Sequence, residues 1–130
     1  MARTDPRTVY AIQCRENGRV YIGCTNNVEI RIKAHFARLR KGNVTRYSTR
    51  SERHEKTTFQ IDFDCYGQDA FTVHILEENI DYRLRKEREA HWIREYNATN
   101  PVYGYNARPE ADEAFALSRE LPVNRWKNGG

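Results

Sequence analysis

Two short β-type runs, "TVYAIQC" at 8–14 and "RVYIGC" at 19–24, flank "RENG" and constrain the fold of this chain more than any other feature. Asn17-Gly18 in that connection is the strongest short-range hairpin signal, because both residue types accept positive φ. If the numbers of two residues paired across the hairpin add to an odd total, as 10 and 21 do, Tyr10 and Tyr21 lie on the same face of the sheet. The sequence therefore predicts an opening hairpin whose two tyrosines share a surface. Ordinary packing on a pleated surface is the alternative role for both.

The charge of the chain is unevenly placed. A length of 130 residues suits one domain. Residues 31–56 contain nine Lys and Arg against two Glu, a local charge of +7, so the rest sums to −3 of the net +4. This asymmetry predicts a polyanionic partner, with a solvated basic surface as an equal alternative. Within the basic segment, residues 46–58 are polar enough to be a mobile loop.

The cysteines and the N-terminus bear on the compartment. Cys14, Cys24 and Cys65 cannot all pair, and none has the CxxC spacing of a zinc or redox site. The N-terminus lacks the apolar core of a signal peptide, and no apolar run approaches the ~20 residues of a membrane span. We therefore expect a reduced, soluble protein that does not enter membranes, in the cytoplasm of a bacterial or phage-infected cell.

The remaining elements follow from periodicity and from helix signals. Asn26 and Glu29 have capping-box spacing at the start of a helix that stops at Gly42. Its apolar stripe is edged by the cationic side chains of Arg31, His35 and Arg38. Later segments predict a short helix ending at Gly67, a strand over 70–77, a charged helix over 81–98 and a short helix over 109–121. The predicted order is ββααβα plus the last short helix.

The long charged helix places one acid on its packing face. By helical rotation Glu89 falls within the stripe of Tyr82, Trp92, Ile93 and Tyr96, whereas Glu87 lies on the polar side. A carboxylate on a packing face costs several kcal/mol unless a cation compensates for its desolvation. A salt bridge to Arg31 is one interpretation, and a metal ligand facing a phosphate is the other.

Together these residues resemble the GIY-YIG nuclease superfamily. The resemblance spans about residues 8–106 and consists of "TVY", "YIG", Arg31 with His35 four residues later, "EAHWI" with Glu89, and "GYN" ending on Asn106. Thr8 and Val9 depart from the glycine and isoleucine of the first motif. The resemblance implies an α+β fold with a three-stranded antiparallel sheet flanked by helices. It also implies a nuclease domain over 1–107, followed by a helical extension and tail over 108–130.

The resemblance further implies an endonuclease that hydrolyses DNA phosphodiester bonds with one divalent ion, Mg²⁺ or Mn²⁺. By this interpretation Tyr10 accepts a proton from water, Arg31 holds the scissile phosphate and Glu89 binds the metal. Tyr21 and His35 orient water and phosphate, and Asn106 braces the site. Gly23 is expected to let the phosphate backbone approach the sheet closely.

The expected partner is double-stranded DNA. The sequence does not decide whether the chain forms a homodimer. Besides Gly23, the basic segment supplies the candidate DNA contacts Arg38, Arg40, Lys41, Arg46, Arg50, Arg53 and Lys56. Two other functions compete with the nuclease. One is a catalytically inactive nucleic-acid-binding module of the same fold. The other is an interaction protein whose C-terminal helix docks a partner through Phe115, Leu117 and Leu121.

Overall fold

A computed structural model describes residues 5–107 of the chain. The C-terminal helix predicted over 109–121, and with it the extension over 108–130, lies outside the described residues. The elements in chain order are β1 (Arg7–Cys14), β2 (Val20–Thr25), α1 (Val28–Arg40), β3 (Thr45–Ser48), β4 (Arg53–Lys56), α2 (Thr58–Tyr66), β5 (Phe71–Ile80) and α3 (Arg85–Glu95). No helix in the described part is long and apolar enough to span a membrane.

The main sheet has three antiparallel strands in the order β2-β1-β5. In the first hairpin Tyr10 pairs with Gly23 and Ile12 pairs with Tyr21, so the two tyrosines lie on one face as predicted. The turn between the strands uses the expected glycine, since Gly18 has a φ of +79° and its N–H donates to the Cys14 carbonyl. The predicted fold class, α+β with a three-stranded antiparallel sheet and flanking helices, is confirmed.

Each face of this sheet is covered by different helices. Tyr10, Ile12 and Cys14 of β1 form one buried cluster with Phe36 and Leu39 of α1 and with Phe59 and Phe63 of α2. The intervening strand residues, including Val9, Ala11 and Ile22, form a second cluster against Trp92, Ile93 and Tyr96 of α3. The alternation of the strand thus sends successive residues into two separate cores.

Helix α1 begins one residue later than its sequence signal indicated. The side chain of Asn27, and not that of Asn26, accepts from the Ile30 N–H and caps the helix. At the other end Gly42 adopts a φ of +75°, as expected of a glycine that follows a helix.

Residues 46–58 correct one prediction. They were expected to form a mobile loop, but most of them form an antiparallel hairpin in which β3 pairs with β4. Seven of the eight strand residues are exposed, so the segment lacks the alternating burial that identifies strands from sequence. The order is therefore ββαββαβα within the described residues, rather than ββααβα.

The last strand and helix also differ from expectation. Strand β5 extends to Ile80, and its pairing with β1 has a register shift beside Val9 and Tyr10. The region predicted as helix from 81 begins with a short 3₁₀ turn, Tyr82–Leu84, and the α-helix starts at Arg85. Tyr82 consequently does not join the packing stripe of α3; it is 43% exposed and lies against the guanidinium groups of Arg7 and Arg85.

Candidate active site

Tyr10 and His35 form the centre of the predicted site. The Tyr10 side chain is fully buried, and its hydroxyl lies 2.9 Å from Nε2 of His35 in a hydrogen bond. Tyr21 packs edge-on against His35, with ring centroids 4.9 Å apart. The cationic edge of α1 and the tyrosine face of the hairpin therefore meet at this histidine.

Burial sets the ionisation of this cluster. Desolvation raises the pKa of Tyr10, and the nearby Tyr21 raises it further, although Arg31 acts in the opposite direction. Desolvation also raises the pKa of Tyr21. Burial, together with the charges of Arg31 and Arg38, lowers the pKa of His35 to about 4. At neutral pH both phenols are protonated and the imidazole is neutral.

Gly23 has a different neighbour from the one expected. It is buried, and a Cβ built on it would lie 2.3 Å from the Tyr10 hydroxyl oxygen and 2.4 Å from the ring carbon that bears it. The absent side chain therefore makes room for the Tyr10 phenol across the hairpin. The DNA contact predicted for Gly23 stays a prediction.

Arg31 and Arg38 line a small cleft beside the cluster. The cleft measures about 180 Å³, and its wall also includes Tyr21, His35, Phe59 and Arg46 of the second hairpin. Both α1 arginines are exposed, and neither forms an ion pair with another residue in the described range. Their charges are free to meet an anion at this cleft.

Glu89 lies on the half-buried side of α3, whereas Glu87 is exposed, as the helical rotation predicted. Its charge acts on Tyr10, Tyr21 and Cys24, so the carboxylate belongs to the same end of the sheet. Within residues 5–107 it forms neither a hydrogen bond nor an ion pair, and the salt bridge to Arg31 is not formed. Desolvation alone raises its pKa.

Asn106 holds the edge of the sheet next to Tyr21. Its side-chain amide accepts from the Ile22 N–H at 2.8 Å and donates to the Ile22 carbonyl at 2.9 Å. The preceding Gly104 pairs with Val20 as a short parallel bridge, and a Cβ on Gly104 would lie 2.3 Å from the Ala98 carbonyl oxygen. The "GYN" segment therefore acts as an additional edge beside β2.

Comparison with known proteins agrees with this geometry. The sequence model of the family described as GIY-YIG catalytic domain matches residues 6–106. The chain belongs to the GIY-YIG family. The resemblance inferred from the motifs is thereby confirmed.

Relatives that match this chain include intron and homing endonucleases. Intron-associated endonuclease 1 of Enterobacteria phage T4 is 36% identical over 109 residues, which cover 82% of this chain and 38% of that protein. The solved catalytic domain of the homing endonuclease I-TevI is 32% identical with a TM-score of 0.62, and the match covers 79% of this chain and 99% of that chain. A mutant of that catalytic domain gives the same identity and TM-score, with 78% and 94% covered. The chain thus spans about two fifths of its curated relative.

Two further residues support the GIY-YIG cluster, and neither was predicted from the sequence. Glu77 of β5 accepts hydrogen bonds from Trp92 Nε1 at 2.8 Å and Arg88 Nε at 2.9 Å, on either side of Glu89 along the chain. The register shift in the pairing of β1 with β5 places Glu77 opposite Val9. The Val9 side chain belongs to the cluster that packs against α3. Glu77 therefore fixes the rotation of the helix that presents Glu89.

Asp62 of α2 is the second missed residue. Its buried carboxylate accepts from the Tyr105 hydroxyl at 2.6 Å and from the Asn17 amide at 2.9 Å, and it forms a 2.9 Å ion pair with Arg19. Tyr105 in turn stacks on Phe59 with centroids 4.5 Å apart, and Phe59 stacks on Tyr21. Asp62 follows Phe59 by three residues, so the helical rotation that identified Glu89 could also have found it.

The predicted DNA contacts of this GIY-YIG domain occupy different surroundings. Arg40 donates to Gln68, and Lys56 forms a 2.8 Å ion pair with Asp64. Arg46 and Arg50 line a larger cleft under the second hairpin. Lys41 and Arg53 are exposed. The basic segment is therefore a broad surface that extends from α1 across the hairpin, and not one compact patch.

Proposed function

We propose that this chain is an endonuclease that hydrolyses DNA phosphodiester bonds with the aid of a divalent metal ion. The observation that supports this most directly is the combination of the neutral His35, a partly desolvated Glu89 without a hydrogen bond or ion pair in residues 5–107, and Arg31, which forms no ion pair there. A purely structural cluster gains nothing from a carboxylate without a partner. The family and the names of its phage relatives point to the same chemistry.

The basic side chains would bind the substrate. Arg31 and Arg38 present guanidinium groups at the small cleft, where they can hold a phosphate through charge-assisted hydrogen bonds. The same charges would stabilise the negative charge that grows on the phosphoryl oxygens in the transition state. Arg31 is the residue that also acts on both tyrosines, so we assign it the scissile phosphate.

We assign His35 the role of taking the proton from the attacking water, because its imidazole is neutral and lines the cleft. Its pKa of about 4 keeps it neutral at physiological pH, and it lines the cleft that the arginines share. In the tautomer with hydrogen on Nε2, it donates to the Tyr10 oxygen and keeps the Nδ1 lone pair free. Tyr10 then serves as the brace of His35 instead of the base first expected, because it is fully buried and its pKa is raised. Tyr21 orients the water, and Asn106 holds the strand that carries Tyr21.

Glu89 fits the role of metal ligand. A half-buried carboxylate with no described partner is what a cation site offers before the cation binds. No group of three or more His, Cys, Asp or Glu side chains that could hold a metal occurs among the described residues. A single carboxylate suits Mg²⁺ or Mn²⁺, which keep several waters and bind phosphate. When bound, such an ion supplies Lewis-acid stabilisation of charge on the phosphate.

Double-stranded DNA is the proposed partner, and the exposed cations of α1 and the second hairpin are its proposed contacts. A cytoplasmic location agrees with three free cysteines. The test is incubation of the purified chain with supercoiled plasmid in Mg²⁺ or in EDTA, followed by sequencing of the ends. Nicks or breaks that require Mg²⁺ are expected. Binding of the plasmid without any cleavage would favour the inactive module of the same fold.

A further inference from the structure

One cleft of the described structure is not explained by the proposed chemistry. It measures about 780 Å³ and lies between the β3–β4 hairpin and the segment over 99–106. We call it the hairpin cleft. The residues that line it include the basic Arg46, Arg50 and Lys56, the aromatic Tyr47 and the acidic Glu55.

The hairpin cleft adjoins the candidate active site. Arg46, Thr57 and Tyr105 line both the hairpin cleft and the small cleft that contains Tyr21, Arg31 and His35. A nucleic acid strand with a phosphate at Arg31 can therefore pass Arg46 and continue beneath the hairpin. Arg46 sits at the junction, where it can hold the neighbouring phosphate.

The size of the hairpin cleft selects the form of nucleic acid. A volume of about 780 Å³ falls within the range of pockets that enclose a small ligand, which is roughly the size of one or two nucleotides. A space of this volume suits a short stretch of one strand better than a whole duplex.

The chemistry of the wall also matches a single strand. Proteins that bind single strands combine a positively charged groove with aromatic rings on which bases stack. Tyr47 is 52% exposed, and its ring meets His54 edge-on at 5.5 Å across the hairpin. The hydroxyl groups of Ser48, Thr49 and Thr58 add hydrogen-bonding groups to the same wall.

From these observations we infer that the hairpin cleft binds an unpaired stretch of the DNA strand next to the scissile phosphate, with a base stacked on Tyr47. The inference rests on the proposed nuclease function and narrows its substrate class. DNA with a short unpaired segment at the cleavage position would bind better than a continuous duplex of the same sequence.

Binding of two DNA probes tests this inference. The Glu89→Gln variant in EDTA is titrated with a labelled 25-mer duplex and with the same duplex containing a five-nucleotide bubble. The bubble should bind about 5- to 160-fold more tightly, the range expected from stacking of a base on an aromatic ring. Adding Tyr47→Ala should remove that preference and leave duplex affinity within about twofold, whereas Tyr47→Phe should retain it.

Matched controls keep the test independent of folding and of the nuclease proposal. Tyr66→Ala removes another exposed tyrosine, 42% exposed and outside the hairpin cleft, and should not alter the preference. Equal binding of bubble and duplex by the parent variant, or a preference that survives Tyr47→Ala, would overturn the inference. Either result could occur while the wild-type chain still cleaves plasmid, so the two proposals fail separately.

Discussion

Asp62 and Glu89 are both carboxylates on the packing faces of helices, yet their surroundings differ in every respect. Asp62 is 6% exposed and has Arg19, Asn17 and Tyr105 as hydrogen-bonding partners. Glu89 is less buried and has no such partner within the described residues. Desolvation acts on Glu89 with nothing to oppose it, so its pKa is raised.

On our proposal, the difference separates an acid that stabilises the fold from an acid that binds the metal ion. A buried charge with several partners stabilises the native arrangement around it, since loss of one partner leaves the others unpaired. A desolvated charge without partners lowers stability, and it persists when function requires it. The Asp62 region should therefore respond to mutation in stability, and the Glu89 region in rate.

Replacing Glu89 by Gln tests whether the Glu89 region controls the rate, and it has the largest expected effect. The change removes the only proposed metal-ligand carboxylate, so metal-dependent cleavage should be abolished. Because the desolvated charge disappears, the melting temperature at pH 7 should rise by roughly 1–4 °C. Glu87→Gln, on the exposed side of the same helix, should change neither. Equal loss of activity in both variants would contradict the assignment.

Within the Tyr10–His35 pair, we propose that His35 accepts the proton and that Tyr10 holds His35 in place. His35→Ala should lower the cleavage rate by about 10²–10⁴ if the imidazole is the general base. Tyr10→Phe removes only one hydrogen bond to that imidazole, so we expect a loss of roughly 3- to 10-fold. The measurement is single-turnover cleavage with DNA affinity determined separately. A Tyr10→Phe loss as large as that of His35→Ala would place Tyr10 itself in the proton path.

Asp62→Asn tests whether the Asp62 region controls stability. The amide keeps the shape but removes the charge that Arg19 and the Tyr105 hydroxyl share, which should cost about 2–4 kcal/mol of unfolding free energy. Denaturant titration measures the loss, and the rate per folded molecule should stay near that of the parent. The control is Asp64→Asn on the same helix, because the ion pair of Asp64 with Lys56 is exposed and its loss should change the unfolding free energy much less. A stable Asp62→Asn variant would remove the distinction between the two acids.

Local periodicity was enough to predict much of this site. The shared face of Tyr10 and Tyr21 follows from strand alternation and hairpin register, and the half-buried position of Glu89 follows from helical rotation. Arg31 and His35 lie one helical turn apart, so their common cleft was also foreseeable. In each case the deciding geometry is contained in a single element or in two strands joined by a short turn.

Features that depend on distant contacts were not predictable in this way. The β3–β4 hairpin is exposed on both faces, so no burial pattern marks it in the sequence. Gly23 has its role because the Tyr10 ring crosses the hairpin above it, which strand alternation does not reveal. The partners of Asp62 lie 43 and 45 residues away in sequence. The rotation of α3 depends on a register shift that places Glu77 toward it.

The smallest predicted effect concerns how the fold of the Glu89 region depends on pH. His35 is packed among Tyr10, Tyr21 and Phe59, with Arg31 and Arg38 beside it, and its pKa falls from 6.5 to about 4. Between these values the unfolded chain binds a proton that the folded chain does not, so stability is lost as the pH falls from about 6.5 toward 4. Because the ring is partly exposed, we expect a contribution of roughly 1–2 kcal/mol. Urea titrations at several pH values should show this slope in the parent and a flatter one in His35→Gln. An equal slope in both would mean that burial of His35 does not cost the region stability in acid, and that the comparison with Asp62 rests on Glu89 alone.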